Sequence, residues 1–247
     1  IKEGAPSQYE INLLHCADAL KACDQAVMLR RLIRGVARNH ALRATFMAKP
    51  FGDLAGNGMH VHCSVLDADG NNLFDDGTDT GTPQLRQAIA GCLASMEDCM
   101  LLFAPHLNSY RRFRRGTHAP EAPCWGYENR TVSVRVPADQ PAATRLEHRL
   151  AGADAHPHLV VAAILAGMLH GIEHQLEPPP PVVGNAYDQV ARTLPRYWPD
   201  AVERFRKSSF IREHFGAEFQ RVFTLMKEQE MYEFDRQVTP LEYDTSL

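Results

Sequence analysis

Hydrophobic positions along the chain fall into blocks of different period, and the period assigns most of the elements. From Leu13 to about His40, the residues Leu13, Ala17, Leu20, Cys23 and Val27 step by three or four, which predicts a helix facing a core. Arg43 to Met47 is a short strand candidate, after which Lys49-Pro50-Phe51-Gly52 and Gly56-Asn57-Gly58 interrupt regular structure. Between Met59 and Leu66 the period shortens to two. Met59, Val61, Cys63 and Val65 then share one face of a strand, and His60, His62 and Ser64 share the other. Thr82-Pro83 starts a helix predicted to run to Phe103, with Leu85, Ile89, Leu93, Met96 and Met100 on its buried side. The stretch from Asn108 to Pro123 is basic and loop-like. Tyr127 to Val136 and Thr144 to Leu150 read as two more strands, and Pro157 to Ile172 as a second buried helix. Pro178 to Pro181 is a stiff spacer, and from Tyr187 onward an amphipathic helical tail follows that carries no evident chemistry.

Composition narrows the class. With 247 residues, 45% hydrophobic and 23% charged, the chain can bury one large core, which excludes disorder and coiled coil. Its net charge of -4 is spread along the sequence, so nothing points to nucleic acid or a membrane surface, and small molecules are the expected partners. No apolar run approaches the roughly 18 residues of a membrane span, and the start, Ile1-Lys2-Glu3-Gly4-Ala5-Pro6, has no signal-peptide h-region. A cytoplasmic location is expected. The six cysteines include no Cys-x-x-Cys pair and suit reduced packing residues. The sequence opens without methionine inside a dense motif, so it is expected to be a piece of a longer protein.

Charged residues on strand faces carry the candidate chemistry. In Arg145-Leu146-Glu147-His148-Arg149, period two puts Arg145, Glu147 and Arg149 on one face. Such a face is either a solvated set of ion pairs or a metal carboxylate flanked by two anion binders, since the planar guanidinium fork suits carboxylate and phosphate. His60 and His62 form a second shared face. A zinc hydrolase would use such a pair, but the helical His-Glu-x-x-His spacing is absent. Glu3 and Glu10 flank a Gly-Ala-Pro turn; carboxylates with one imidazole and no thiolate favour Mg²⁺ or Mn²⁺. Arg112, Arg130 and Arg135 add cationic groups. Arg130 and Arg135 are five positions apart and would face opposite ways in one regular strand, so convergence requires a bulge or a strand end.

Taken in order, Gly4-Ala5-Pro6-Ser7-Gln8-Tyr9-Glu10-Ile11-Asn12, Met47-Ala48-Lys49-Pro50-Phe51, Gly56-Asn57-Gly58-Met59-His60-Val61-His62-Cys63-Ser64, Asn108-Ser109-Tyr110, Glu128-Asn129-Arg130 and Arg145-Leu146-Glu147-His148-Arg149 resemble the C-terminal catalytic domain of glutamine synthetases. The resemblance implies an α+β fold, a curved antiparallel sheet backed by helices, with residues 1–247 forming the catalytic domain and the N-terminal domain and first catalytic strand missing. It implies that Glu3 and Glu10 bind one divalent metal, Mg²⁺ or Mn²⁺, and that His60 and Glu147 bind a second at the ATP phosphates. His62, Ser64 and Arg145 would line the nucleotide site. Arg112 and Arg149, with Gly56 and His60, would hold glutamate, and Arg130 and Arg135, with Arg149, would serve the phosphoryl transfer. The implied reaction is attack of the glutamate γ-carboxylate on ATP to give γ-glutamyl phosphate, which an amine displaces. A dodecamer-like double ring is implied for the full-length protein.

Two departures sharpen the expectation. Where ammonia-using members carry a glutamate two residues after a loop glycine, this chain has Gly116-Thr117-His118, and Ala55 replaces a glutamate-binding asparagine. The pattern resembles the branch that makes γ-glutamyl-polyamines or γ-glutamyl-monoamines, which places His118 at the amine site; Glu121 is the nearby acid that would substitute. Ammonia is the rival acceptor, and a non-catalytic family member the remaining alternative.

Overall fold

The computed structural model describes residues 1–138 and 140–246. A four-stranded sheet, β1 (Val61–Cys63), β2 (Trp125–Tyr127), β3 (Val134–Val136) and β4 (Leu146–His148), has the order β1-β4-β3-β2. β4 pairs antiparallel with both β1 and β3, while β2 and β3 run parallel, so the sheet is mixed. The stretch read as one strand from Tyr127 to Val136 is therefore two strands joined by a loop. Polar Glu128-Asn129-Arg130 ends the first, and Glu128 turns the chain with a φ of 48°.

Helices cover one face of the sheet. α1 spans Ala19–Asn39, α2 Pro83–Ser95, α3 Met100–Phe103, α4 Leu107–Tyr110 and α5 Pro157–Glu173. α1 begins six residues later than its stripe predicted: the Asp18 carboxylate accepts from the Lys21 N–H at 3.0 Å and caps the helix there. Leu13, Ala17 and Leu20 are exposed, Cys23 is buried and Val27 partly so, and α1 meets α5 where Asp24 pairs with His158 at 3.0 Å. Arg43 to Met47 pairs with no strand among the described residues. The helix expected from Pro83 to Phe103 divides at residues 96–99, where Glu97 and Asp98 turn out to Arg204 at 3.0 and 2.7 Å, but the predicted stripe stays buried throughout. Its Thr82 cap and Pro83 start are as expected.

α2 and α5 touch backbone to backbone. A Cβ on Gly91 would lie 1.9 Å from the Gly167 carbonyl oxygen, so only glycine allows this approach. Around that contact Leu85, Ile89, Met96, Val160, Ile164 and Leu146 form one continuous core. The tail adds α6 (Ala186–Gln189), α7 (Trp198–Lys207), α8 (Ser209–Phe215), α9 (Ala217–Asp235) and α10 (Pro240–Ser246), with Trp198 and Phe205 extending the same core. All six cysteines are free thiols, and no helix is long and apolar enough to cross a membrane.

Candidate active site

The centre of the sheet gathers the charged residues by register. Glu147 on β4 lies opposite His62 on β1 and Arg135 on β3, so three strands contribute one cross-strand row. Period two brings Arg149 to the same face, and His60 enters from just before β1. Glu147 is 2% exposed and meets Arg135 Nε at 2.6 Å, Arg149 Nη1 at 2.7 Å, His60 Nδ1 at 3.1 Å and His62 Nε2 at 3.8 Å. The Arg149 contact is a hydrogen bond, whereas the Arg135 contact is a charge contact without hydrogen-bond alignment. Burial alone would raise the Glu147 carboxyl, but His60, Arg149 and Arg135 outweigh it and hold it at about 2. Burial also pushes both imidazoles below their usual value, partly offset by Glu147, so they stand neutral. The opposite face confirms the alternation: His148 is buried against Phe103, and burial lowers it to about 3.

The remaining arginines surround this row. Arg130 sits in the loop between β2 and β3, and its carbonyl accepts from Arg149 Nη2 at 3.3 Å. The strand end demanded by its spacing from Arg135 is thus present. Arg112 is buried, with Nη1 donating to the Leu150 carbonyl at 2.8 Å and Nη2 to that of Arg149 at 3.2 Å. A Cβ on Gly58 would lie 2.7 Å from Arg112 Nη2 and 3.1 Å from His60 Nε2, so that glycine lets the guanidinium and the imidazole approach the backbone together. Burial lowers Arg112 to about 10, which still leaves it charged at neutral pH. At the outer end of β4, Arg145 Nε donates to His62 Nδ1 at 3.1 Å, and Ser64 lies half-buried just beyond β1.

Glu3 and Glu10 form a second group. Residues 1–10 fold back on themselves through the Lys2–Tyr9 bridge, and Gln8 anchors them to Gly56 O at 3.0 Å and Asn57 Oδ1 at 2.8 Å. The two carboxyl groups lie close enough to perturb each other, which raises Glu10 and lowers Glu3; Arg130 and His60 lower Glu3 further. Two carboxyls held this close need a proton or a cation between them. That, with the adjoining imidazole and oxygen donors, fits a hard divalent ion. Among the described residues no three such donors gather into a ready cage; they stand as two pairs, Glu3 with Glu10 and His60 with Glu147.

His118 stands apart from the Glu147 row, exposed at a φ of 56° in the loop after Gly116. Glu121 is engaged by Arg192 at 2.8 Å. Sequence reasoning missed the tail's part here. Asn129 Nδ2 donates to Val182 O at 3.0 Å and Gly184 O at 2.7 Å, and the Ala186 N–H donates to Thr131 Oγ1 at 2.9 Å, so residues 182–186 hold the Arg130 loop. A cleft of about 360 Å³ opens there, between residues 127–130 and 181–184. The Gly184-Asn185 turn was the only signal.

Comparison with known proteins gives the site its context. The family described as glutamine synthetase, catalytic domain, matches residues 1–246. The chain is 40% identical over 247 residues to gamma-glutamylputrescine synthetase of Escherichia coli K12, covering 100% of this chain and 52% of that protein. It is 38% identical over 242 residues to gamma-glutamylethanolamide synthetase of Streptomyces coelicolor, covering 98% of this chain and 52% of that one. The solved ligand-free structure of GmaS superposes with a TM-score of 0.83 at 35% identity, over 93% of this chain and 54% of that one. The chain thus spans about half the length of the curated relatives it matches.

Proposed function

Given that this chain belongs to the glutamine synthetase catalytic-domain family, we propose that it is the catalytic part of an ATP-dependent ligase joining the glutamate γ-carboxylate to an organic amine. The observation that carries this reading is the row around Glu147, where two arginines face one carboxylate and leave an uncompensated positive charge beside Arg112 and Arg130. Two anions, the γ-carboxylate and the ATP γ-phosphate, repel as they meet, and fixed guanidinium groups offset that repulsion where the charge develops. Arg130, Arg135 and Arg149 serve the phosphoryl group, Arg112 and Arg149 with Gly56 and His60 serve glutamate, and His62, Ser64 and Arg145 serve the nucleotide.

Glu3 with Glu10, and His60 with Glu147, would hold Mg²⁺ or Mn²⁺, which when bound supplies charge neutralisation at the phosphates. The protein's own groups orient the γ-carboxylate for attack. The carboxylate oxygen bonds to phosphorus as ADP leaves, and the amine nitrogen then bonds to the acyl carbon as phosphate leaves and the amine gives up a proton. An organic amine is favoured over ammonia because His118 occupies the acceptor loop and Glu121, the nearby acid, is committed to Arg192. Relatives named for putrescine and ethanolamide products support the same choice. The complete protein, with an N-terminal domain and a double-ring assembly, belongs to this proposal, as does a cytoplasmic location.

The test is phosphate release by the full-length protein with ATP, Mg²⁺ and glutamate, across ammonium, ethanolamine, putrescine and spermidine. Turnover with an organic amine at a kcat/KM well above that for ammonium is expected. Faster turnover with ammonium would overturn the acceptor assignment and make the protein a glutamine synthetase.

A further inference from the structure

The tail segment 184–194, which no part of the reaction above uses, grips the acceptor loop 113–121 through five contacts. Tyr187 OH donates to the Ala119 carbonyl at 2.8 Å, immediately beside His118. Arg192 Nη1 donates to Glu121 Oε1 at 2.8 Å and to the Phe113 carbonyl at 3.4 Å. The Leu194 N–H donates to Glu121 O at 3.3 Å, and Asp188, itself held by Asn185 at 2.7 Å, pairs with Arg115. The gripped loop is not regular structure: Gly116 and His118 have φ values of 79° and 56°. A non-glycine residue in that region holds its shape only where its surroundings impose it.

The same segment holds the Arg130 loop through Thr131 and Asn129. One short piece of chain therefore fixes the distance between the acceptor loop and the arginine that faces the phosphoryl group. The phenol of Tyr187 is well suited to this, because burial raises it to about 12 and it remains a hydrogen-bond donor at any working pH.

We infer that Tyr187, with Arg192, is a positioning residue for the amine acceptor: it sets the conformation of residues 113–121 and so the fit of the amine, without touching the reacting atoms. This rests on the ligase reading for its substrate, though not for its geometry.

The experiment is Tyr187→Phe in the full-length protein, which removes one hydroxyl and keeps the ring. The expected result is an amine KM raised by about tenfold, the weight of one lost hydrogen bond, with glutamate and ATP KM within about twofold and kcat at saturating amine nearly unchanged. In hydrogen exchange, peptides covering 113–121 should exchange faster while those covering β4 do not change. Arg192→Gln should act in the same direction. Equal changes in all three KM values, or none, would overturn the inference, as would unaltered exchange in 113–121. Which amine the wild type prefers bears on the ligase reading alone. If the wild type turned over none, the ligase reading would fall and the amine role with it, while the exchange measurement would still decide whether Tyr187 sets the conformation of residues 113–121.

Discussion

The two donor pairs at the ends of the site are built on opposite principles. His60 and Glu147 belong to the sheet: the carboxylate is 2% exposed, fixed by register, and enclosed by two arginines and two imidazoles. Glu3 and Glu10 lie on an exposed ten-residue fold-back, held to the rest of the chain through Gln8, with their carboxyl groups close enough to perturb each other. In the first pair the carboxylate's charge is more than met by protein, so the pair supports the fold besides standing at a proposed metal site. In the second, two carboxyl groups face each other and balance must come from outside, so the pair supports little of the fold and its proposed part is to receive a cation.

Breaking the buried pair should have the largest effect. Glu147→Gln leaves Arg135 and Arg149 facing each other without an anion, and removing one partner of a buried ion pair costs about 3–5 kcal/mol. A denaturant melt of the variant should show a loss in that range together with loss of the proposed ligase activity in the full-length protein. The sign with pH follows from the same contacts. Because the folded carboxyl is depressed to about 2, its contribution is complete above the ordinary carboxylate range and fades as pH falls through that range toward 2. The variant should lack that part of the acid limb. A loss under about 1 kcal/mol would mean that the arginines relax outward and that the site is not structurally committed.

The exposed pair should behave in reverse. Glu10→Gln removes one of two mutually repelling carboxyls on an exposed segment, where substitutions move stability by about 0.5 kcal/mol or less. Mn²⁺ binding to the full-length protein, followed by calorimetry, should weaken by roughly tenfold or more. A variant that melted like Glu147→Gln but bound Mn²⁺ normally would erase the distinction between the pairs.

This contrast also marks what could be read from the sequence. Period two is a local rule, so the faces that carry His60 with His62 and Glu147 with Arg149 are legible in the sequence alone. Pairing is not local. Nothing in residues 127–136 announced a loop between two parallel strands, although the five-residue spacing of Arg130 and Arg135 required an interruption somewhere. Helix starts are decided by caps, and the Leu13 stripe outran the Asp18 cap because an exposed apolar residue looks the same in sequence as a buried one. The tail's hold on loops 113–121 and 128–133 spans more than fifty residues of chain and uses ordinary polar side chains; no spacing rule encodes such contacts.

The smallest effect should come from the outer end of β4, which tests where the buried principle stops. Arg145 shares a face with Glu147 and Arg149, but it is half-buried and its Nε meets a neutral imidazole, His62 Nδ1, at 3.1 Å. A hydrogen bond near the surface contributes about 1 kcal/mol or less, so Arg145→Ala should melt close to wild type. If this residue serves the nucleotide, as proposed, the ATP KM should rise several-fold while the glutamate KM holds, because the loss falls on binding at one end of the row. Steady-state kinetics with each substrate varied in turn separates the two. Should Arg145→Ala melt as early as Glu147→Gln, the supporting network would extend along the whole strand face, and the nucleotide end would be scaffold like the centre.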